Sequence, residues 1–201
     1  MIRLPEKVPN EIVVACSGGQ DSMVALDFFM RGRKNVKVAH FDHGTDHSQD
    51  AKDFVVDFCN RKGLELVIKS ISTEKTPDLS PEEYWRVNRL EWFHSMQESV
   101  VCAHHLDDAV EWWVFTSING TSRVIPYRNR NIIRPLILTK KSFIEAWSKS
   151  KKIPFIQDPS NSDTRYSRNR IRNNIMPEIL RVNPGIHKVV SKKIKQLIDT
   201  E

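Results

Sequence analysis

The apolar run Ile12-Val13-Val14-Ala15-Cys16 leads straight into Ser17-Gly18-Gly19-Gln20-Asp21-Ser22 and then into the helix-like stretch from Met23 to Met30. This order predicts a strand, a tight loop and a helix. The paired glycines let the backbone turn sharply and bring its N–H groups to an anion, and the helix beginning near Ser22 adds its positive dipole end. Such a loop is a nest for phosphate oxygens. No Gly-Lys-Ser or Gly-Lys-Thr follows, which excludes the loop type in which a lysine reaches the terminal phosphates. The loop instead carries Asp21, a carboxylate suited to magnesium. A plain glycine turn is the competing reading, disfavoured by the strand before it and the helix after it.

Strand and helix alternate downstream. Val36 to Phe41 predicts a second strand; Ala51 to Asn60 carries Phe54, Val55 and Phe58 at helical spacing before Gly63; Leu64 to Ile68 predicts a third strand. A helix from Pro81 through Met96 and a short strand from Val100 to Ala103 follow. The pattern argues for an α/β fold, a Rossmann-like parallel sheet with helices on both faces. Ligands of such sheets sit at the carboxyl ends of the strands, where Ser17, Asp42 and His104 fall. Asn119 to Arg134, with Gly120, Pro126 and Arg128-Asn129-Arg130-Asn131, reads as a loop leading out of a nucleotide-binding domain over 1–134. Residues 135–201 then make a basic extension, with helices over Lys140 to Lys151, Ser167 to Leu180 and Pro184 to Ile198.

His104-His105-Leu106-Asp107-Asp108-Ala109-Val110-Glu111 begins at the end of the fourth strand and enters a helix. Spacings of three and four put His104, Asp108 and Glu111 on one face, with Asp107 adjacent to Glu111, and Val110, Val114 and Ile118 along a core-facing row beside Trp113. Carboxylates gathered beside a phosphate loop repel one another unless a cation joins them, and magnesium or an ammonium group is the natural companion. An acidic first turn that merely complements the helix dipole is the bland alternative. A zinc site from Cys102, His104 and His105 is disfavoured, because adjacent histidines rarely share one tetrahedral ion. Phe41-Asp42-His43-Gly44 sets a carboxylate and a turn at a strand end. Glu82, Arg86 and Arg89 point the same way along one helix, toward a ligand or as a solvated salt-bridged face. Arg168-Asn169-Arg170-Ile171-Arg172 gathers guanidinium groups, good phosphate partners, near a helix start.

The formal net charge of +6 hides an asymmetry: residues 1–120 hold 13 Lys and Arg against 19 Asp and Glu, and residues 121–201 hold 18 against 6. The basic second part fits a polyanion such as nucleic acid. Three widely spaced cysteines, Cys16, Cys59 and Cys102, suggest buried hydrophobes rather than disulfides or a Cys-x-x-Cys site. No apolar stretch approaches the roughly 18 residues of a membrane span and the first residues lack a signal-peptide centre, so no membrane partner and a cytoplasmic location are expected. Monomer and homodimer both remain open.

Taken in order, these motifs resemble the tRNA isoleucine lysidine synthase family, one of the N-type ATP pyrophosphatases that share a PP-loop. Ser17 to Ser22 is similar to the family loop, Phe41 to Gly44 to its Asp-His-Gly segment, and Glu82, Arg86 and Arg89 to its Glu-x-x-x-Arg-x-x-Arg helix. His104 to Glu111 resembles His-His-x-Asp-Asp-x-x-Glu, and Asp158-Pro159-Ser160-Asn161 with Arg168 to Arg172 resembles the Asp-x-Ser-Asn and Arg-Asn-x-Ile-Arg elements. The chain departs from the family pattern at Leu90, Ala109 and Trp112.

The resemblance implies a ligase that adenylates the C2 oxygen of the wobble cytidine in a CAU-anticodon isoleucine tRNA with ATP and Mg2+; the ε-amine of free L-lysine then displaces AMP. That order is chemically sensible, since the C2 carbonyl is a poor electrophile until its oxygen becomes a phosphate ester. Lysine arrives protonated, with a pKa of about 10.4, so carboxylates must hold it and help remove the proton. By resemblance, Ser17, Gly18, Gly19, Gln20, Asp21, Ser22, His104 and His105 bind ATP, and Asp21 holds the magnesium. Asp108 and Glu111 orient the lysine, while Asp42, Arg86 and Arg89 serve the adenylated base and phosphates. Arg128, Arg130, Arg168, Asn169 and Arg172 contact tRNA. Two other readings compete: a related PP-loop tRNA thiolase, which should show a Cys-x-x-Cys, and an inactive RNA-binding member of the fold.

Overall fold

A computed structural model describes residues 2, 4–44, 48–71, 80–157 and 167–200, with Pro81 and Glu82 described by backbone alone. The Asp158-Pro159-Ser160-Asn161 motif lies outside them, as does the Glu82 side chain. The elements run β1 (Glu11–Ala15), α1 (Gln20–Arg31), β2 (Asn35–Asp42), α2 (Ser48–Lys62), β3 (Leu66–Ser70), α3 (Pro81–His94), β4 (Ser99–Val101) and α4 (Leu106–Ile118). A small hairpin, β5 (Arg128–Asn129) and β6 (Ile132–Ile133), precedes α5 (Lys141–Lys151), α6 (Ser167–Arg170), a π-helical turn (Ile171–Ile175), α7 (Met176–Val182) and α8 (Ile186–Ile198).

The six strands form one sheet in the order β3-β2-β1-β4-β6-β5, parallel except for the β5–β6 pair. Strand side chains alternate between faces. Val13, Ala39, Val100, Cys102 and Ile132 therefore face one way, where Phe93, Leu90 and Trp92 of α3 pack on them. Ile12, Val14, Val38, Val101 and Ile133 face the other way, into a larger core. That core takes Met23 and Leu26 of α1, Val55 and Phe58 of α2, Val110 of α4, Ile144 of α5, and Ile186, Val190 and Ile194 of α8. Spacings of four on α8 make one apolar stripe. The parallel sheet with helices on both faces is thus the observed architecture.

Three expectations need correction. Asn119 to Arg134 is not wholly irregular, because β6 adds to the sheet beside β4, with Ile132 and Ile133 fully buried. Two-residue strands flanked by arginines and asparagines carry no recognisable period. Ile118 does not continue the core row of Val110 and Val114: it is 66% exposed and is the last residue of α4. His104 does not share a helix face with Asp108, because α4 starts at Leu106 and His105 is its N-cap.

All three cysteines are free and buried, as their spacing suggested. Among the described residues no helix is long and apolar enough to cross a membrane.

Candidate active site

Strand order reverses between β1 and β4, and the chain leaves the carboxyl ends of both to start α1 and α4. In open α/β sheets this is where a ligand crevice forms, here with two helix N-termini directed into it. Gly18 takes φ +83°, and a Cβ there would meet the Ile156 and Phe54 side chains at 3.3 Å. Its carbonyl accepts the Ile156 N–H at 3.0 Å, which pins the loop from outside. Ser22, buried behind the loop, donates to the Gly19 carbonyl at 2.9 Å and accepts the Ser17 N–H at 3.2 Å. Ser22 therefore braces the loop, while Gly19 at the N-cap offers no side chain and leaves the amides of the first turn around Gln20 to an anion. Gly18→Ala is expected to lose about 1–2 kcal/mol from the left-handed backbone alone, measurable by urea unfolding, and to weaken nucleotide binding.

His105 and Asp108 form a capping box: the Asp108 N–H donates to His105 Nδ1 at 3.2 Å, and Asp108 Oδ2 accepts the His105 N–H at 3.0 Å. With Nδ1 accepting, the ring proton sits on Nε2, which lies 3.6 Å from Asp21. Burial alone would raise the Asp21 pKa, but His105 and the Lys141 ammonium bonded to it hold it down to about 2. Burial likewise works against a charged His105, and the Asp21 and Asp108 carboxylates outweigh it and raise the ring's pKa.

The carboxylates of α4 divide into two sets. Asp107 turns toward α5 and α8, accepting the Lys141 backbone N–H at 2.7 Å and facing His187 Nε2 at 3.1 Å. Asp108 and Glu111, both buried, turn toward the π-helical turn and the residues just before it. Arg172 bonds Glu111 in bidentate fashion, at 2.8 Å from both Nε and Nη2, and reaches Asp108 at 3.2 Å; Arg168 lies 3.1 Å from Asp108. Arg168 on α6 and Arg172 on the π-helical turn are four positions apart, so both heads reach one carboxylate pair. Magnesium or an ammonium group was the expected companion of these acids, and in this structure the companions are the chain's own cations.

Asp42 is a strand-end brace, accepting the Gly44 N–H at 2.9 Å and the Ser70 hydroxyl at 3.1 Å, with Lys52 at 3.5 Å. Burial opposes its ionisation, yet these donors hold its pKa down to about 2. Its folded value is below its unfolded value, so the stability it adds is present above about pH 4 and lost as pH falls toward 2. The difference between the two values makes that contribution on the order of 2 kcal/mol. Asp42→Asn should accordingly flatten the acid limb of a stability-versus-pH curve measured by denaturant titration.

Arg86 pairs with Glu83 at 3.1 Å on the exposed side of α3. Arg89, one turn on, forms no ion pair among the described residues. Arg128 and Arg130 lie on the β5–β6 hairpin, whose turn adjoins the amino end of β4: Asn131 there bonds the Phe93, Met96 and Glu98 carbonyls. They sit at the sheet edge opposite the crevice and do not converge with the other predicted residues. Asn169 lies on α6 between Arg168 and Arg170.

The residues that do converge surround a cleft of about 370 Å3 lined by Asp21, His105, Glu111, Lys141, Met176 and Leu180 among others. Lys141 and His187 were missed by sequence reasoning. Lys141 opens a helix that the sequence does predict, but nothing local marks it as the partner of an aspartate 120 positions earlier.

Comparison with known proteins bears on this arrangement. The chain is 32% identical to a tRNA(Ile)-lysidine synthase of Thermosipho africanus (strain TCF52B), over 94% of this chain and 48% of that protein. It is also 32% identical to one from Persephonella marina (strain DSM 14350 / EX-H1), over 88% of this chain and 43% of that protein. The chain thus spans about half the length of the curated relatives it matches. An NH3-dependent NAD synthetase from Campylobacter jejuni subsp. jejuni NCTC 11168, solved with a nitrate ion, shares the fold: TM-score 0.51, 14% identity, covering 96% of this chain and 87% of that one. A family model described as the PP-loop domain matches residues 3–179, and with its glycine loop, crevice and strand order in place, the chain belongs to the PP-loop domain family.

Proposed function

We propose that this chain is a tRNA-modifying ligase that adenylates the C2 oxygen of a wobble cytidine in a CAU-anticodon isoleucine tRNA and couples free lysine to that carbon. The observation that carries the reading is the buried Asp108–Glu111 pair beside the phosphate loop, neutralised among the described residues by side-chain cations that a substrate ammonium can replace. The relatives' names point the same way.

In this mechanism the amides after Gly18 and Gly19 and the N-terminus of α1 take the phosphates of ATP. Magnesium, when bound, neutralises phosphate charge, and Asp21 would hold it. Asp21 lines the cleft with its side chain 35% exposed, and a single carboxylate beside phosphate oxygens fits such an ion. Lys141, already bonded to Asp21, is placed to follow the same charge. The C2 oxygen attacks the α-phosphorus and pyrophosphate leaves. The ε-amine, held at Asp108 and Glu111, gives up a proton and attacks C2, and AMP departs with the C2 oxygen. The apolar walls of Met176 and Leu180 suit a lysine stem. A sulfur-transfer reading lacks support, since Cys16, Cys59 and Cys102 are all buried.

The test is pyrophosphate release from ATP and magnesium with and without unmodified isoleucine tRNA bearing CAU. Release that depends on the RNA is expected. A chain that binds this RNA but releases no pyrophosphate would contradict the ligase reading and favour an inactive binding protein.

A further inference from the structure

Asp107 and His187 have no part in the mechanism above, although both line the same cleft as Glu111. Both oxygens of the Asp107 carboxylate are engaged: Oδ2 accepts the Lys141 backbone N–H at 2.7 Å, and Oδ1 faces His187 Nε2 at 3.1 Å. Burial opposes its charge, but His187 and the Lys141 N–H outweigh burial and hold the carboxyl below its usual range. An ionised carboxylate only accepts, so Nε2 donates to it, and in the neutral ring the lone pair falls on Nδ1. Nδ1 makes no hydrogen bond among the described residues, and the His187 side chain is 13% exposed where it lines the cleft. Asp107 and Glu111 are four positions apart on α4, so the imidazole that Asp107 holds lies about one helical turn from Glu111.

An oriented imidazole with an open lone pair answers a need that the other carboxylates leave. Lysine must lose a proton before its amine attacks, and an efficient acceptor titrates near the working pH. Asp108 suits that task poorly: burial opposes its charge, but His105, His104 and Arg168 hold its carboxyl below the usual range, and Arg172 bonds it as well. Glu111 accepts two N–H groups of Arg172. The pair is built to hold an ammonium, while imidazoles as a class are the stronger bases.

We propose that His187 Nδ1 is the base on which the proton of the substrate ε-ammonium ends, and that Asp107 is the positioning residue that fixes the tautomer of its ring. The proton passes to Nδ1, the amine nitrogen bonds C2, and the C2–O bond breaks as AMP leaves with the oxygen. The imidazolium so formed sits beside the Asp107 carboxylate and returns its proton to solvent. The inference rests on the ligase reading and deepens it, placing the proton acceptor on α8.

Two variants separate a base from a mere tie between helices. His187→Gln keeps an N–H for Asp107 but has no basic nitrogen. Asp107→Asn keeps the imidazole and both contacts: its carbonyl accepts the Lys141 N–H, and its NH2 then faces Nε2, which puts the ring proton on Nδ1, the wrong tautomer. The full chain and each variant are given ATP, magnesium and unmodified isoleucine tRNA bearing CAU in single turnovers. Pyrophosphate release is followed first, then AMP release to lysine or to hydroxylamine, an amine that arrives unprotonated at neutral pH. Both variants are expected to lose lysine-dependent AMP release by about 10²–10⁴-fold, with a much smaller loss toward hydroxylamine and with RNA-dependent pyrophosphate release retained. Equal losses toward both amines, or an Asp107→Asn chain as active as the unaltered one, would overturn the proposal and leave His187 as a tie between α8 and α4. Should His187→Gln fail to fold, Asp107→Asn decides on the same readouts. An unaltered chain with no lysine-dependent AMP release contradicts the ligase reading itself, and the inference falls with it; lysine transfer by the unaltered chain that His187→Gln matches removes His187 alone.

Discussion

Asp108→Asn is expected to reduce lysine transfer by about 10²–10⁴-fold, the range lost when a positioned proton acceptor is removed. The amide keeps the shape and can still accept the His105 N–H of the capping box, so the start of α4 should survive. What disappears is the negative charge that Arg168 and Arg172 share and that a substrate ammonium needs. Stability should fall by about 1–3 kcal/mol, as for a buried polar group left poorly matched. The discriminating readout is the split between steps: RNA-dependent pyrophosphate release should survive largely intact while product is lost. Loss of both steps together, with the fold intact, would place Asp108 in adenylation instead.

Arg172→Ala should produce the largest stability change. It leaves Glu111, 6% exposed, without its bidentate partner and leaves Asp108, among the described residues, with Arg168 and the His105 cap. Removing one member of a buried pair costs about 3–5 kcal/mol, and the partial exposure of Arg172 argues for about 3, a fall in Tm of roughly 6–12 °C. Because Arg172 raises the local positive charge where a lysine head is proposed to bind, the variant should respond differently to ligand. Free lysine should raise its Tm by more than it raises that of the unaltered chain, since the vacated carboxylates then take the ε-ammonium. A Tm unmoved by lysine in both proteins would count against Asp108 and Glu111 as the lysine site.

The strand-loop-helix unit was legible because its cues are local: an apolar run, a pair of glycines and a helical stretch are consecutive in sequence. So were the His105–Asp108 segment and the arginines of α6 and the π-helical turn, since each motif is short. The mutual placement of their residues was not. Lys141 meets Asp21, His187 meets Asp107, and Arg172 meets Glu111 across separations of 120, 80 and 61 positions, set by how α5, α8 and the π-helical turn pack on the sheet. The three carboxylates looked like a vacancy for an external cation because the cations that fill it are remote. β6 was hidden for another reason: at Ile132–Ile133 it is too short for any alternation to show, and only its pairing with β4 makes it a strand.

The most direct measurement incubates the purified chain with ATP, magnesium, radiolabelled lysine and unmodified isoleucine tRNA bearing CAU, then digests the RNA to nucleosides. Label is expected in a single lysine-cytidine nucleoside from the wobble position, absent without ATP and absent with Asp108→Asn. RNA-dependent pyrophosphate release without any label in the nucleosides would contradict lysine as the nucleophile at Asp108 and Glu111.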